Sequence, residues 1–225
     1  GDALGGSAFA SAVLDDNPTL DFLDLLKVDA SNVGNHEFDK GFNDLATRIT
    51  QNVEFPVISA NISGEQGGID AIEVLAPWYM YETNGVTIAF VGTTTTDTPS
   101  LVSPNGVAGI SFADIYDTTN SAAAALSDGN PDNGEADVVI AMTHSGSEAL
   151  DVSKYSGEVD AVFTGHTHLK YTGTAANGAG VSIPVIEPWD FGRGVGHLEV
   201  TIDPATGDHT IGTAEVARAA PDGYT

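Results

Sequence analysis

Four of the six histidines in this 225-residue chain stand just beyond short apolar runs. Ala30–Val33 leads into Gly34-Asn35-His36-Glu37-Phe38-Asp39, Ala136–Met142 into Thr143-His144-Ser145-Gly146, and Ala161–Thr164 into Gly165-His166-Thr167-His168. Imidazole nitrogen, carboxylate oxygen and amide oxygen are ligand types for divalent ions, and an imidazole also exchanges a proton near neutral pH. One histidine at a strand end is ordinarily a plain loop residue. Four at three such ends call for a shared site. There is no cysteine, which removes thiolate ligands, thiol catalysis and disulfides together.

The elements around these residues suit that purpose. The runs Ala136–Met142 and Ala161–Thr164 have the composition of strands buried on both faces, and in α/β sheets the crevice at the strand carboxyl ends is where ligands bind. Ser7–Leu14 and Thr19–Lys27 read as helices, Ala30–Val33 as a short strand and Phe42–Gln51 as an amphipathic helix. Val57–Ile62 reads as a strand. Trp78–Glu82 and Val86–Val91 flank Asn84-Gly85, a hairpin signal, and Phe112–Leu126 reads as a helix ended by Asp128-Gly129-Asn130-Pro131. The tail gives a strand at Val181–Ile186 and then a hairpin of His197–Ile202 with Thr210–Val216, turning at Pro204–Asp208. Mixed parallel and antiparallel signals fit an α/β domain with more than one sheet.

Composition narrows the partners. With 41% hydrophobic residues the chain can bury a full core, as one well-cored domain or two small ones. No apolar stretch reaches the ~18–20 residues of a membrane span. The chain opens on Gly1 without an initiator Met or a signal peptide, and so reads as a mature product or a fragment. Acidic side chains number 32 against 7 basic, a formal −25, and such a surface repels nucleic-acid polymers and anionic lipid. An anionic substrate then needs concentrated local positive charge, for which a bound metal is the natural supplier.

Taken in order, Gly1-Asp2, Gly34-Asn35-His36-Glu37, His144 and Gly165-His166-Thr167-His168 resemble the motifs of the calcineurin-like metallophosphoesterases. The longer Gly34-Asn35-His36-Glu37-Phe38-Asp39 resembles the 5′-nucleotidase branch, as do Gly1–Leu4 with Gly6-Ser7, Pro56–Ile62 and Asp97–Leu101. The resemblance covers essentially the whole chain. It implies that residues 1–225 form one catalytic domain, a four-layer α/β/β/α sandwich of two mixed sheets, with 30–33, 136–142 and 161–164 in one sheet that has a gap or exposed edge. It also implies two divalent metal ions (Zn, Mn, Co or Fe), with Asp2 bridging them, Asn35, His144 and His166 completing one site and His168 binding the other. His36 becomes the transition-state stabiliser or proton donor, oriented by Asp39, and Asn35 with His36 meets the substrate. The activity implied is hydrolysis of phosphate esters, 5′-nucleotides foremost, by a metal-bridging hydroxide. UDP-sugar hydrolysis, 2′,3′-cyclic phosphodiester hydrolysis and a non-catalytic metal- or ligand-binding domain are the alternatives.

The family pattern begins with an Asp-x-His on its first strand, and no Asp-x-His occurs here. The site served by His168 is therefore expected to be the weaker one. The resemblance further implies a secreted, periplasmic or cell-surface protein and a C-terminal substrate-binding domain in a longer parent. Glu37 is expected to support the loop without ligating, Trp189 and Phe191 to be packing residues, and Thr94–Thr96 to form a strand-end turn. His197 and His209 are expected to be structural or solvated. Arg48, Arg193 and Arg218 form no visible cluster, and Asn61-Ile62-Ser63 matches a glycosylation sequon of a kind common by chance.

Overall fold

Alternating apolar runs and turn residues set out fifteen strands among the described residues, which in this computed structural model are 1–203, 209–212 and 215–218. In chain order they are β1 (Ser31–Asn32), β2 (Val57–Ile58), β3 (Ile62–Gln66), β4 (Ile69–Asp70), β5 (Trp78–Thr83), β6 (Val86–Thr94), β7 (Ile110–Phe112) and β8 (Val138–His144). They continue with β9 (Ala161–Thr164), β10 (Lys170–Ala176), β11 (Ser182–Pro188), β12 (Gly194–His197), β13 (Val200–Ile202), β14 (His209–Ile211) and β15 (Glu215–Arg218).

Six of these form the main sheet, in the order β10-β11-β9-β8-β6-β5. The inner four run parallel, and the two edge strands are antiparallel to their neighbours. Because side chains alternate along a strand, the inner strands are apolar on both faces. Ala89, Val91, Val139, Ala141 and Val162 pack with Ala122 and Ala123 of the helix Ile115–Ala125. Val138, Ile140, Ala161, Ile88, Phe90 and Phe163 meet Leu198, Val200 and Ile211 on the opposite face. A second core gathers Val33, Phe38, Phe42, Leu45 and Ile62 with Leu20 of the helix Asn17–Leu25. The fold is the expected mixed α/β arrangement with several sheets.

Five local expectations need correction. The strand read at 30–33 pairs with β2 in a two-stranded parallel sheet and does not join the sheet of β8 and β9. It is tied to β6 by side chains instead: Asn32 Nδ2 donates to the Thr93 carbonyl (2.9 Å), and Thr94 Oγ1 donates to the Val33 carbonyl (2.8 Å). Gly92 permits this approach, since a Cβ there would sit 2.5 Å from Asn32 Oδ1 and 2.9 Å from the Ile58 carbonyl. A groove of about 270 Å³ between residues 29–30 and the sheet is lined by Tyr79, Tyr81, Phe90 and Met142.

The strand read at 57–62 is broken, because Asn61 turns inward and spends both ends of its amide. Its Oδ1 accepts from Thr94 N–H (2.8 Å), and its Nδ2 donates to the carbonyls of Thr94 and Ala113. Asn61 is buried, so the sequon is closed to glycosylation in the folded chain. The helix read from 112 begins at Ile115, where Asp114 caps it by accepting from the N–H groups of Tyr116 and Asp117; residues 110–112 pair with β3. The helix read at 42–51 carries a π-type turn at Leu45–Ile49. The tail hairpin is two ladders, β12 with β15 and β13 with β14, and its expected turn at 204–208 lies outside the described residues.

Candidate metal centre

The parallel strands β6, β8, β9 and β11 end on the same side of the sheet, so the residues that follow them converge. A cavity of about 390 Å³ opens there, lined by Asp2, His36, His144, His166, His168 and Phe191 among others. Asp2, His144 and His166 each offer a ligand atom, and these atoms lie within 4.8 Å of one another. His144 Nε2 is 2.9 Å from Asp2 Oδ2 and 3.2 Å from Asn35 Oδ1. One imidazole N–H cannot serve both oxygens well, and the convergence of nitrogen and two oxygens on one point is what a cation would resolve.

A second observation agrees. His166 Nδ1 is buried and has no hydrogen-bond partner, a costly condition for a polar atom. The donors of Asp2, His144 and His166 could therefore hold one divalent ion, with Asn35 Oδ1 beside His144 as a further oxygen. His168 stands apart from this cluster. It lines the same cavity, its side chain is 48% exposed, and its Nδ1 lies 3.6 Å from Asp190 Oδ2.

The electrostatics suit ligation. Burial works against a charged Asp2, yet hydrogen bonds from His144 and from the His36 backbone N–H hold its carboxyl down at about 2. Burial lowers the pKa of His144 and outweighs the opposing effect of Asp2, which favours the neutral imidazole that binds metal. For His36 burial again opposes the charged form, but the Asp39 hydrogen bond and the nearby Asp2 and Glu37 charges raise its pKa. Its Nδ1 is 2.8 Å from Asp39 Oδ2, and Gly6 gives the other side of the ring room, since a Cβ there would lie 3.2 Å from Nε2.

Two buried carboxylates fix the loops. Glu37 accepts from the backbone N–H groups of Asp2 (2.9 Å), Ala3 (2.8 Å) and Gly34 (2.5 Å). Glu187, fully buried, accepts from Ser147 N–H and Oγ, Thr167 Oγ1 and Leu169 N–H at 2.7–3.0 Å. Asp2, His166 and His168 all have left-handed backbones, with φ of 58°, 78° and 60°. Such backbones are uncommon outside glycine and persist only where the surroundings over-determine them.

Asp2, His36, His144, His166 and His168 line the cavity; Asn35 lies against His144 and Asp39 against His36, and the ligand atoms of Asp2, His144 and His166 are grouped tightly. Trp189 and Phe191, expected to be packing residues, lie on the turn after β11 among the residues that line the cavity. Arg193 packs on that turn: its guanidinium lies 4.3 Å above the Trp189 ring, and its Nε donates to Asp190 Oδ1 at 2.6 Å. Glu187 and Asp190 went unnoticed in the sequence. The available signal was an acid directly after the buried run Ile183–Ile186, the same pattern that marks the histidines. His209 pairs with Asp160 at 3.0 Å, remote from the centre.

Residues 1–170 match the family model of the calcineurin-like phosphoesterases. Among curated proteins, endonuclease YhcR of Bacillus subtilis is 29% identical over 96% of this chain and 18% of its own length. Cell wall protein Lmo0130 of Listeria monocytogenes is 27% identical over 92% of this chain and 30% of its own length. The solved 5′-nucleotidase precursor of Thermus thermophilus superposes with a TM-score of 0.73 at 26% identity, covering 89% of this chain and 41% of that one. The chain thus spans between about a fifth and two fifths of the length of these relatives.

Proposed function

The chain belongs to the calcineurin-like phosphoesterase family, and on that premise we propose that its cavity hydrolyses small phosphate monoesters, 5′-nucleotides foremost. The observation that carries the reading is the convergence of Asp2, Asn35, His144 and His166 around an unpartnered buried imidazole nitrogen. Asp2, Asn35, His144 and His166, with His168 nearby, would hold divalent ions that would neutralise phosphoryl charge and acidify a water near pH 7.

The chain's own residues supply the rest. Asn35 turns its amide oxygen inward, and His144 stays neutral beside the ionised Asp2. His36, its Nδ1 held by Asp39, presents Nε2–H toward the cavity. As the oxygen of a water that has given one proton to solvent joins phosphorus and the ester P–O bond breaks, the departing oxygen takes its proton from His36 Nε2. The loop clamps at Glu37 and Glu187 keep these groups at fixed separations, so little reorganisation is left for the reaction.

The 5′-nucleotidase precursor among the relatives supports the nucleotide preference. A duplex polymer is disfavoured, the endonuclease relative notwithstanding, because the formal charge of −25 opposes a phosphate backbone. The cell wall relative supports a place outside the cytoplasm, and the greater length of all three relatives leaves room for a companion substrate-binding domain. The test is phosphate release from AMP and from p-nitrophenyl phosphate with added manganese, cobalt or zinc, beside duplex DNA as a third substrate. Metal-dependent release from AMP that disappears in His36→Ala is expected; DNA cleavage without AMP hydrolysis would overturn the reading.

A further inference from the structure

Asn35 and His144 meet at 3.2 Å although they come from different sheets. His144 is the last residue of β8 in the main sheet, and Asn35 follows β1, which belongs to the two-stranded sheet with β2. Ligand atoms carried by separately built pieces keep a fixed distance only where something ties the pieces together close by.

Thr94 is placed to be that tie. It ends β6 directly opposite His144 in the ladder, and its Oγ1 donates to the Val33 carbonyl, two residues before Asn35, at 2.8 Å. With its hydrogen spent on Val33, Thr94 Oγ1 accepts from Ser59 Oγ, 3.0 Å away. Asn61 closes on the backbone of the same residue, accepting from its N–H and donating to its carbonyl, both at 2.8 Å. Thr94 is fully buried, and Ser59 and Asn61 are 2% exposed. Valine has the same shape and suits a buried strand equally well, so the hydroxyl answers to hydrogen bonding and not to packing. Gly34 completes the path. A Cβ on it would lie 2.3 Å from Asp2 Oδ1 and 2.9 Å from His144 Cε1, so a shift of Val33 and Gly34 presses on both of those ligands.

We propose that Thr94 is a positioning residue for the metal centre. Through Val33 its hydroxyl carries the register of the main sheet to the 34–36 loop, and so sets the separation of Asn35 and His144 on which ion affinity depends. This rests on the phosphoesterase reading for the identity of the site, and it adds a residue that is not among those lining the cavity. Other links between the two pieces, Asn32 Nδ2 to the Thr93 carbonyl and Ala60 N–H to the Gly92 carbonyl, do not depend on this hydroxyl. Its loss therefore loosens the ligand set and leaves the fold standing.

The test follows manganese binding by calorimetry, and AMP hydrolysis at saturating manganese, in wild type, Thr94→Val, Thr94→Ser and Ile183→Val. Thr94→Val is expected to raise the manganese Kd about 10–100-fold, with KM for AMP little changed because no contact to the ester is removed. Thr94→Ser, which keeps the hydroxyl, should recover most of the affinity. Ile183→Val removes one methylene from the core shared with Ala122 and Ala123. It should lower Tm and leave the Kd within about twofold, since it shares no partner with the ligands. Ser59→Ala, which keeps Thr94 and removes the hydroxyl behind it, should move the Kd the same way by a smaller factor. An unchanged Kd in Thr94→Val, or in Ser59→Ala where Thr94→Val does not fold, would overturn the proposal. So would Thr94→Ser no better than Thr94→Val, an equal rise in Ile183→Val, or a wild type that binds no manganese. If the wild type binds manganese and releases no phosphate from AMP, the phosphoesterase reading fails, and calorimetry still decides the role of Thr94.

Discussion

His36 Nδ1 and Asp39 Oδ2 lie 2.8 Å apart, three residues from each other in the chain. The short 3-10 turn His36–Phe38 sets that spacing, and the contact commits one ring nitrogen so that the other is left for the cavity. His36→Ala is expected to lower kcat for AMP by about 10²–10⁴, the usual worth of a positioned acid or base, while KM changes little. Asp39→Asn, which leaves the ring in place but weakens its orientation and charge, is expected to lie between wild type and His36→Ala. Steady-state phosphate release with excess manganese measures both.

Removal of divalent ions with a chelator is expected to abolish phosphate release, and manganese, cobalt or zinc to restore it. His166→Ala takes away the nitrogen that lacks a partner in the folded chain. It is expected to eliminate the tightest ion-binding step seen by calorimetry without lowering Tm. A large loss of stability with unchanged ion binding would mean that His166 is a packing residue.

Glu187→Gln is nearly isosteric, yet it presents an amide NH₂ to a place where four donors converge. Breaking a charged, buried hydrogen-bond set of this kind costs about 1.5–3 kcal/mol per bond lost. The variant is expected to unfold at lower temperature and to bind manganese about 10–100-fold more weakly, as when a support behind a metal ligand is lost. Glu187→Asp, with a shortened carboxylate, should recover part of the ion affinity. Thermal melts and calorimetry on the same samples separate the two effects.

Asp16 makes a pH-dependent contribution to stability. It is 5% exposed, accepts from Gly5 N–H at 3.0 Å and from the Ser7 hydroxyl, and so holds the segment that leads from Asp2 toward the first helix. Burial pushes its pKa up, but those hydrogen bonds outweigh burial and leave it below the ordinary 3.8. A carboxyl lowered on folding stabilises the fold fully above its unfolded value, and the benefit drains away as pH falls through the folded value. Asp16→Asn should therefore cost about 2 kcal/mol at pH 7. The gap from wild type should narrow in urea melts as pH falls below about 4.

The sequence made legible what depends on neighbours in the chain. Asn84 and Gly85 have φ of 52° and 79°, the pair of left-handed residues that a two-residue hairpin turn demands. His144, His166 and His168 stood out because each follows an apolar run whose strand position could be inferred. What pairs across distance was not legible. The partner of β1 is β2, some 26 residues on, and nothing in Ser31-Asn32 distinguishes a ladder to β2 from one to β8. Glu187 draws its donors from residues 18 to 40 positions away, and no local pattern announces them. Phe191 is expected to pack because an aromatic near glycines usually does; its 66% exposure and its place beside His168 are set by the tertiary fold and leave no local trace.

The two carboxylate clamps also tie the cavity to the same act of folding as the sheet. Glu37 reaches back 34 and 35 residues to Ala3 and Asp2, and Glu187 reaches 40 residues to Ser147. The strand pairing that builds the sheet is as remote, with Ile88 opposite Val138, so loop entropy gives neither a head start over the other. On refolding, circular dichroism and ion binding are therefore expected to recover in step.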